Sequence, residues 1–340
     1  MPLFISIFKK ARNRKLAGVG VSFFCFFIFF FMAGQWISAE KPEWVHQDPL
    51  PPRFRNLDSF SLFEAHGQID AGNALYYGIG PLISWARKAD VLVLGNSRPF
   101  FAFREDAIQE AEKKSGLTFF SLAGPGDNFP FAREIILRNH LFPRFIILSE
   151  EDFFNPKLWP FQKEVMAGSW WHGWSNTYAH YYQWLVQYYT DGVIPRLTFF
   201  KANQGKEIFT FRSPLNNFLF LENNSGEHRP LVEQTGNHPS NPVRFNMART
   251  FIAEMRDRGA QVILIYVPNG KDPEFVRKEA GALGVSCVLP SLGGLETFDG
   301  IHLTPESSGR FARAFFDLFF KLPEVRKMIR ERTEGKPAEK

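Results

Sequence analysis

The strongest constraint on the fold is a series of short, continuous apolar runs, each followed by a turn. Residues 90–94 read Asp-Val-Leu-Val-Leu and run into Gly95-Asn96-Ser97-Arg98; Asp106 to Lys114 then has helical composition. Thr118 to Leu122 is the next run, with Gly124-Pro125-Gly126-Asp127-Asn128 as its turn and a helical stretch from Phe131 to Asn139 after it. Phe145 to Leu148, Gln261 to Val267 and Val285 to Leu289 continue the series, and Asn246 to Arg258 reads as a helix between two of them. Runs that are apolar throughout, rather than alternating, belong to strands covered by helices on both faces. The expected fold class is therefore α/β: a three-layer α/β/α sandwich with a mainly parallel sheet.

The flanks of this series are readable too. Asn73 to Lys88 has helical composition, with interruptions near Gly78 and Gly80. The last helix has a clear start: Thr304 as N-cap, Pro305 at the first helical position and Glu306 in the first turn. Phe311, Phe315 and Phe319 recur on one face beside Ala314 and Leu318, which predicts a core-facing stripe. Pro323 marks a stop, and 324–340 reads as a polar tail. Between the α/β portions, about 154–242, lies an aromatic-rich insertion that holds five of the eight tryptophans, with Tyr178, Tyr181, Tyr182, Tyr188 and Tyr189 interleaved. It predicts a cap, partly helical around 175–189, with Leu215 to Pro242 as loop. Its aromatics fit a packed cap core, a platform for a glycan, or a membrane-interface belt.

The formal net charge of +5 is carried by the N-terminus. The first fifteen residues hold Lys9, Lys10, Arg12, Arg14 and Lys15 and no acid, so the rest of the chain balances at 35 basic and 35 acidic residues. A nucleic-acid-binding body spreads its basic charge over a face or groove, so no nucleic-acid partner is expected. Leu16 to Ile37 follows as 22 residues without a formal charge. That length suits a span of the hydrocarbon core, with the basic segment on the cytoplasmic side. A cleaved signal peptide and a buried helix are the rival readings. The expected organisation is a cytoplasmic segment at 1–15, a transmembrane helix at 16–37, a proline-bearing stalk and domain entry at 38–72 and the α/β domain with its insertion at 73–323. The expected localisation is single-pass in a membrane with the main domain periplasmic or extracytoplasmic, and the bilayer is an expected partner.

Two positions carry chemistry. Ser97 follows an apolar strand at a glycine-containing turn, where its Oγ can attack an acyl carbonyl beyond the carboxyl end of a sheet. It can equally serve that turn or cap the next helix. Asp299-Gly300-Ile301-His302 precedes the capped last helix, so His302 can take the Ser97 proton while Asp299 orients the imidazole. An Asp–His bond within a surface turn is the plainer alternative. Arg98 can pair with an anionic substrate or bridge to an acid at the sheet rim. Cys25 and Cys287 are too few for a thiolate metal site, and His172, His180, His228 and His238 lack metal-ligand spacing. There is no P-loop, Rossmann fingerprint, HExxH or zinc-finger pattern, and neither metal nor cofactor is expected.

Gly95-Asn96-Ser97-Arg98 resembles the nucleophile block of the SGNH/GDSL hydrolase superfamily, and Asp299-Gly300-Ile301-His302-Leu303-Thr304 resembles its C-terminal Asp–His block. The resemblance covers about 88–152 and 244–320. It implies an SGNH-hydrolase-like sandwich with Ser97 as nucleophile, His302 as base and Asp299 as its orienting partner. It also implies an oxyanion hole containing Gly124 or Gly126, with Asn128 close by. The chain departs from the pattern after the third strand. Gly-x-Asn-Asp is replaced there by Ser149-Glu150-Glu151-Asp152-Phe153-Phe154-Asn155, which leaves Asp152 or Asn155 in the equivalent region. An ionised acid cannot donate as an asparagine does. With the apolar leader, the resemblance points to a membrane-anchored branch that modifies cell-envelope acyl groups. The expected function is an acyl esterase or O-acyltransferase acting on an envelope glycan or lipid, with envelope proteins as further partners. The alternative is a non-catalytic envelope assembly or binding protein.

Overall fold

The computed structural model describes residues 62–64, 71–79, 82–124, 129–149, 154–175, 209–212, 216–222, 228–231, 242–268 and 273–334. In chain order the elements are β1 (Leu62–Glu64), α1 (Ala71–Tyr77), α2 (Leu82–Ala86), β2 (Val91–Leu94), α3 (Ser97–Ala102), α4 (Glu105–Ser115) and β3 (Phe119–Ser121). Then come α5 (Phe129–Arg138), β4 (Phe145–Ser149), α6 (Pro160–Ala167), β5 (Phe209–Arg212), β6 (Leu219–Glu222) and β7 (Arg229–Pro230). The chain continues through α7 (Pro242–Asp257), β8 (Gln261–Ile265), α8 (Glu274–Leu283), β9 (Ser286–Val288), β10 (Glu296–Thr297), α9 (Pro305–Phe319) and α10 (Pro323–Thr333).

Five strands form one sheet in the order β3-β2-β4-β8-β9, and every neighbouring pair is parallel. Side chains alternate through it with a period of two. Val91 and Val93 of β2 join one core with Phe145 and Ile147 of β4 and Ile263 and Ile265 of β8. Leu92, Leu94, Ile146, Leu148, Val262 and Leu264 join the other. Both faces are covered, which is why these strands are apolar throughout. The first face is packed by Ala107, Ile108 and Ala111 of α4 and by Phe311, Phe315, Phe316 and Phe319 of α9. The second is packed by α1, α2, α5, α7 and α8, through residues such as Tyr76, Ile83, Phe131, Phe251 and Val276.

The order of the sheet places its switch point between β2 and β4. From β2 the chain crosses outward to β3, then returns to the other side of β2 and continues from β4 to β8. The loops leaving the carboxyl ends of β2 and β4 therefore diverge. In open parallel sheets the crevice between such diverging loops is where ligands bind. Ser97 follows β2, so topology alone puts it at this crevice.

Parts of the insertion are tied to the sheet. Ser121 of edge strand β3 donates its N–H to Asn216 O at 2.8 Å, and Asn217 Nδ2 donates to Ser121 O at 2.6 Å. Phe218 is buried beside Phe103. The stretch expected as loop from Leu215 thus contains β6, which with β5 and β1 makes a three-stranded antiparallel sheet. At four residues each, β5 and β6 are too short for a period to be read from sequence. Residues 324–333, read as part of a polar tail, belong to α10. Pro323 ends one helix and opens the next as a first-turn proline, and Val325 is buried with Met328 and Ile329 packed against the core. Trp159, Trp170 and Trp171 are exposed, and Trp171 stacks on Trp174 at 5.0 Å.

The membrane expectation is corrected. Among the described residues no helix is long and apolar enough to cross a membrane. The longest of them, α7, has 16 residues, against about 20 for a hydrocarbon core. The 16–37 segment that was to form the span lies outside the described residues, as do Tyr178 to Tyr189 and all of 38–72 except 62–64, which form β1, and 71–72, which open α1. Among the described residues, the transmembrane helix, the signal-anchor, the bilayer as partner and the single-pass placement with a periplasmic domain have no helix to rest on.

Candidate active site

The turn after β2 is shaped by crowding. Gly95 has φ +147°, and a Cβ there would run into Pro99 and lie 3.1 Å from Cβ of Ser149, the last residue of β4. Only glycine fits this close approach of two strand ends. Asn96 then caps α3, its Oδ1 accepting from Arg98 N at 3.0 Å. The cap is thus Asn96 and not Ser97, which leaves the Ser97 hydroxyl free of that duty at the first position of the helix.

The second half is a closed loop between β10 and α9. Phe298 N donates to His302 O at 3.0 Å and Thr304 N to Glu296 O at 2.9 Å, with a bridge between Thr297 and Leu303. Gly300 turns it with φ +85°. Asp299 Oδ1 accepts from the N–H of Ile301 at 2.9 Å and of His302 at 2.8 Å. Its Oδ2 lies 2.6 Å from His302 Nδ1. Leu295 and Leu303, at the two ends of the loop, are buried in the core around α9.

The two halves meet. His302 Nε2 lies 2.8 Å from Ser97 Oγ, across 205 residues of sequence. Burial acts to raise the Asp299 carboxyl, but the His302 backbone N–H, the His302 ring and the Ile301 N–H outweigh it and hold it below its ordinary 3.8. An ionised carboxylate can only accept, so Nδ1 carries the ring proton and donates it to Asp299. In the neutral ring Nε2 is then the lone-pair nitrogen and accepts from the Ser97 hydroxyl. Phe101 and Phe298 flank the imidazole, with ring centroids 4.7 and 5.6 Å away.

The remaining candidates fall into three groups. Gly124 is at the site: its N–H donates to Gly95 O at 3.4 Å, linking the turn after β3 to the turn that carries Ser97. Arg98 is half-buried on α3 next to Ser97. Asn155 is committed locally, its Oδ1 accepting from Lys157 N at 3.0 Å. Gly126, Asn128 and Asp152 lie outside the described residues. His228 pairs with Glu296 at 3.0 Å and His172 with Glu164 at 3.6 Å. Among the described residues no group of His, Cys, Asp and Glu is arranged to hold a metal ion. Phe101 and Phe298 were not singled out from sequence, because nothing in a lone phenylalanine tells which ring it will meet.

Fold and site together define a parallel α/β protein with a Ser–His–Asp chain of hydrogen bonds at its switch point. No known protein family, curated protein or solved structure matches the chain. The expected membership of a membrane-anchored, envelope-modifying SGNH/GDSL branch is corrected to what the structure carries. That is a five-stranded parallel sheet flanked by helices, a general α/β arrangement, with no membrane-crossing helix among the described residues.

Proposed function

We propose that the protein is a serine-dependent acyl hydrolase or acyl transferase. The observation that supports it is the 2.8 Å approach of Ser97 Oγ to His302 Nε2, with Asp299 2.6 Å behind the ring. Ser97 Oγ attacks the carbonyl carbon of an acyl ester as its proton passes to His302 Nε2. Asp299 holds the ring in position and stabilises the imidazolium so formed. The tetrahedral oxyanion faces backbone donors, for which the described residues offer the N–H of Ser97, in the first turn of α3. Collapse expels the alcohol, which takes the proton from His302 and leaves an acyl-Ser97 ester. A second nucleophile, water or an acceptor hydroxyl, then gives its proton to Nε2, attacks the ester and restores Ser97. The proposed substrate class is the acyl ester itself; an envelope glycan or lipid rested on the anchor.

The test is intact mass after exposure to a serine-directed phosphonate. The expected result is one adduct on the wild type and none on Ser97→Ala. A folded wild type that takes no adduct would overturn the reading in favour of a binding protein.

A further inference from the structure

The proposed chemistry depends on two elements that the chain makes far apart. Ser97 opens α3, whereas His302 sits in the loop before α9. Asp299 orients the ring but touches nothing on α3 through any bond described above. Something else must fix the distance between the two helices.

The first turn of α9 makes those connections. Ser308 Oγ donates to Phe101 O at 2.8 Å, with Leu303 O at 3.4 Å as a weaker second acceptor. One hydroxyl has one proton, so the shorter bond prevails. Phe101 lies one turn after Ser97, near the end of α3, where helix carbonyls lack an intrahelical donor. The bond therefore satisfies an otherwise orphaned acceptor and joins α3 to α9. Ser308 is 1% exposed, so no water competes. Its neighbour Ser307 pins the entry of the loop, accepting from Glu296 N at 2.8 Å. Phe101 also lays its ring on His302 at 4.7 Å, so one residue receives the Ser308 proton and touches the imidazole.

We propose that Ser308 is a positioning residue: its hydrogen bond to Phe101 O sets the Ser97–His302 distance by tying the helix that starts with the serine to the helix that follows the histidine. The inference rests on the serine–histidine reading above. It adds a residue that touches no substrate and that no motif marks.

The experiment compares Ser308→Ala with Ser115→Ala, which removes another buried hydroxyl–carbonyl bond, Ser115 Oγ to Ala111 O at 2.6 Å, within α4. Two readouts are taken on the full chain, well below each melting temperature. One is the rate of phosphonate labelling at Ser97. The other is the 15N shift of His302 Nε2, which reports its bond to Ser97 without any reaction. The expected result is labelling slowed about tenfold to a hundredfold, the range a displacement near 1 Å produces, and a moved Nε2 shift, in Ser308→Ala alone. Ser308→Cys, of similar shape with a weak donor, falls between. Wild-type labelling and an unmoved shift in a folded Ser308→Ala overturn the proposal, as does equal slowing in both alanine variants. If the wild type takes no label but Ser308→Ala still moves the Nε2 shift, the chemical reading fails and the positioning role stands.

Discussion

The two faces of the parallel sheet are covered by different materials. On one face α4 and α9 pack, with phenylalanine dominating the contact: Phe103 meets Phe311, Phe315 and Phe316 at 5.1–5.9 Å, and Phe119 meets Phe316 at 5.3 Å. The other face takes five helices and a mixture of aliphatic and aromatic side chains. The mixed face is tied at its surface by a fork of two bonds from Arg133 to Glu254, at 2.7 and 3.0 Å. The phenylalanine face is the one that carries the site. Its α9 follows His302, and Phe103 follows directly on the helix that starts with Ser97. Interlocked rings have few ways to repack without strain. One face holds the sheet together, whereas the other also holds Ser97 Oγ and His302 Nε2 at hydrogen-bond distance.

That contrast can be broken or sharpened by experiment. The largest effect belongs to His302→Ala, which is expected to slow labelling of Ser97 by about three orders of magnitude or more while leaving the melting temperature nearly unchanged. A large drop in melting temperature would mean that the site also supports the fold. Next come Phe103→Ala and Phe131→Ala, each fully buried, one per face. Each is expected to cost about 3–5 kcal/mol in urea unfolding. Among the molecules still folded, only Phe103→Ala is expected to lower the labelling rate; equal rates would erase the distinction between the faces.

A smaller effect is expected on lowering the pH. Asp299 is held below its ordinary 3.8, so its carboxylate contributes stability that is fully present above that value and is lost as the pH falls through the lower folded value. Asp299→Asn is therefore expected to flatten the fall in melting temperature below about pH 4. It should also slow labelling at neutral pH. An unchanged acid limb would show that the loop does not draw on this carboxylate. The smallest effect is that of Glu254→Gln on the mixed face. Both partners are partly exposed, so a loss of about 1 kcal/mol or less is expected, with no change at Ser97.

The sequence made the sheet legible because burial on both faces leaves uninterrupted apolar runs. Val91 to Leu94 could hardly be anything but an inner strand. Ser97 and His302 stood out through their neighbours, a glycine turn after a strand and a capped helix after a loop. The distance between them was not legible, since it depends on how α3 lies on α9. The same is true of Ser308, whose role exists only through a carbonyl 207 residues away. Helix α10 was hidden because Pro323 reads as a stop as readily as a start. The antiparallel strands of the insertion were hidden because Phe209–Arg212 and Leu219–Glu222 are only four residues each, too short for a period to be read.

The 205 residues between Ser97 and His302 also set a schedule. A ribosome adding about 5–20 residues per second finishes the serine turn some 10–40 s before it reaches the histidine. During that interval the hydroxyl is an ordinary alcohol, with no base beside it. His302 comes with about the last ninth of the sequence, and the pair closes only when α9, the helix that follows it, docks. On the proposed reading, a nascent or truncated chain that stops short of His302 holds the serine without its base.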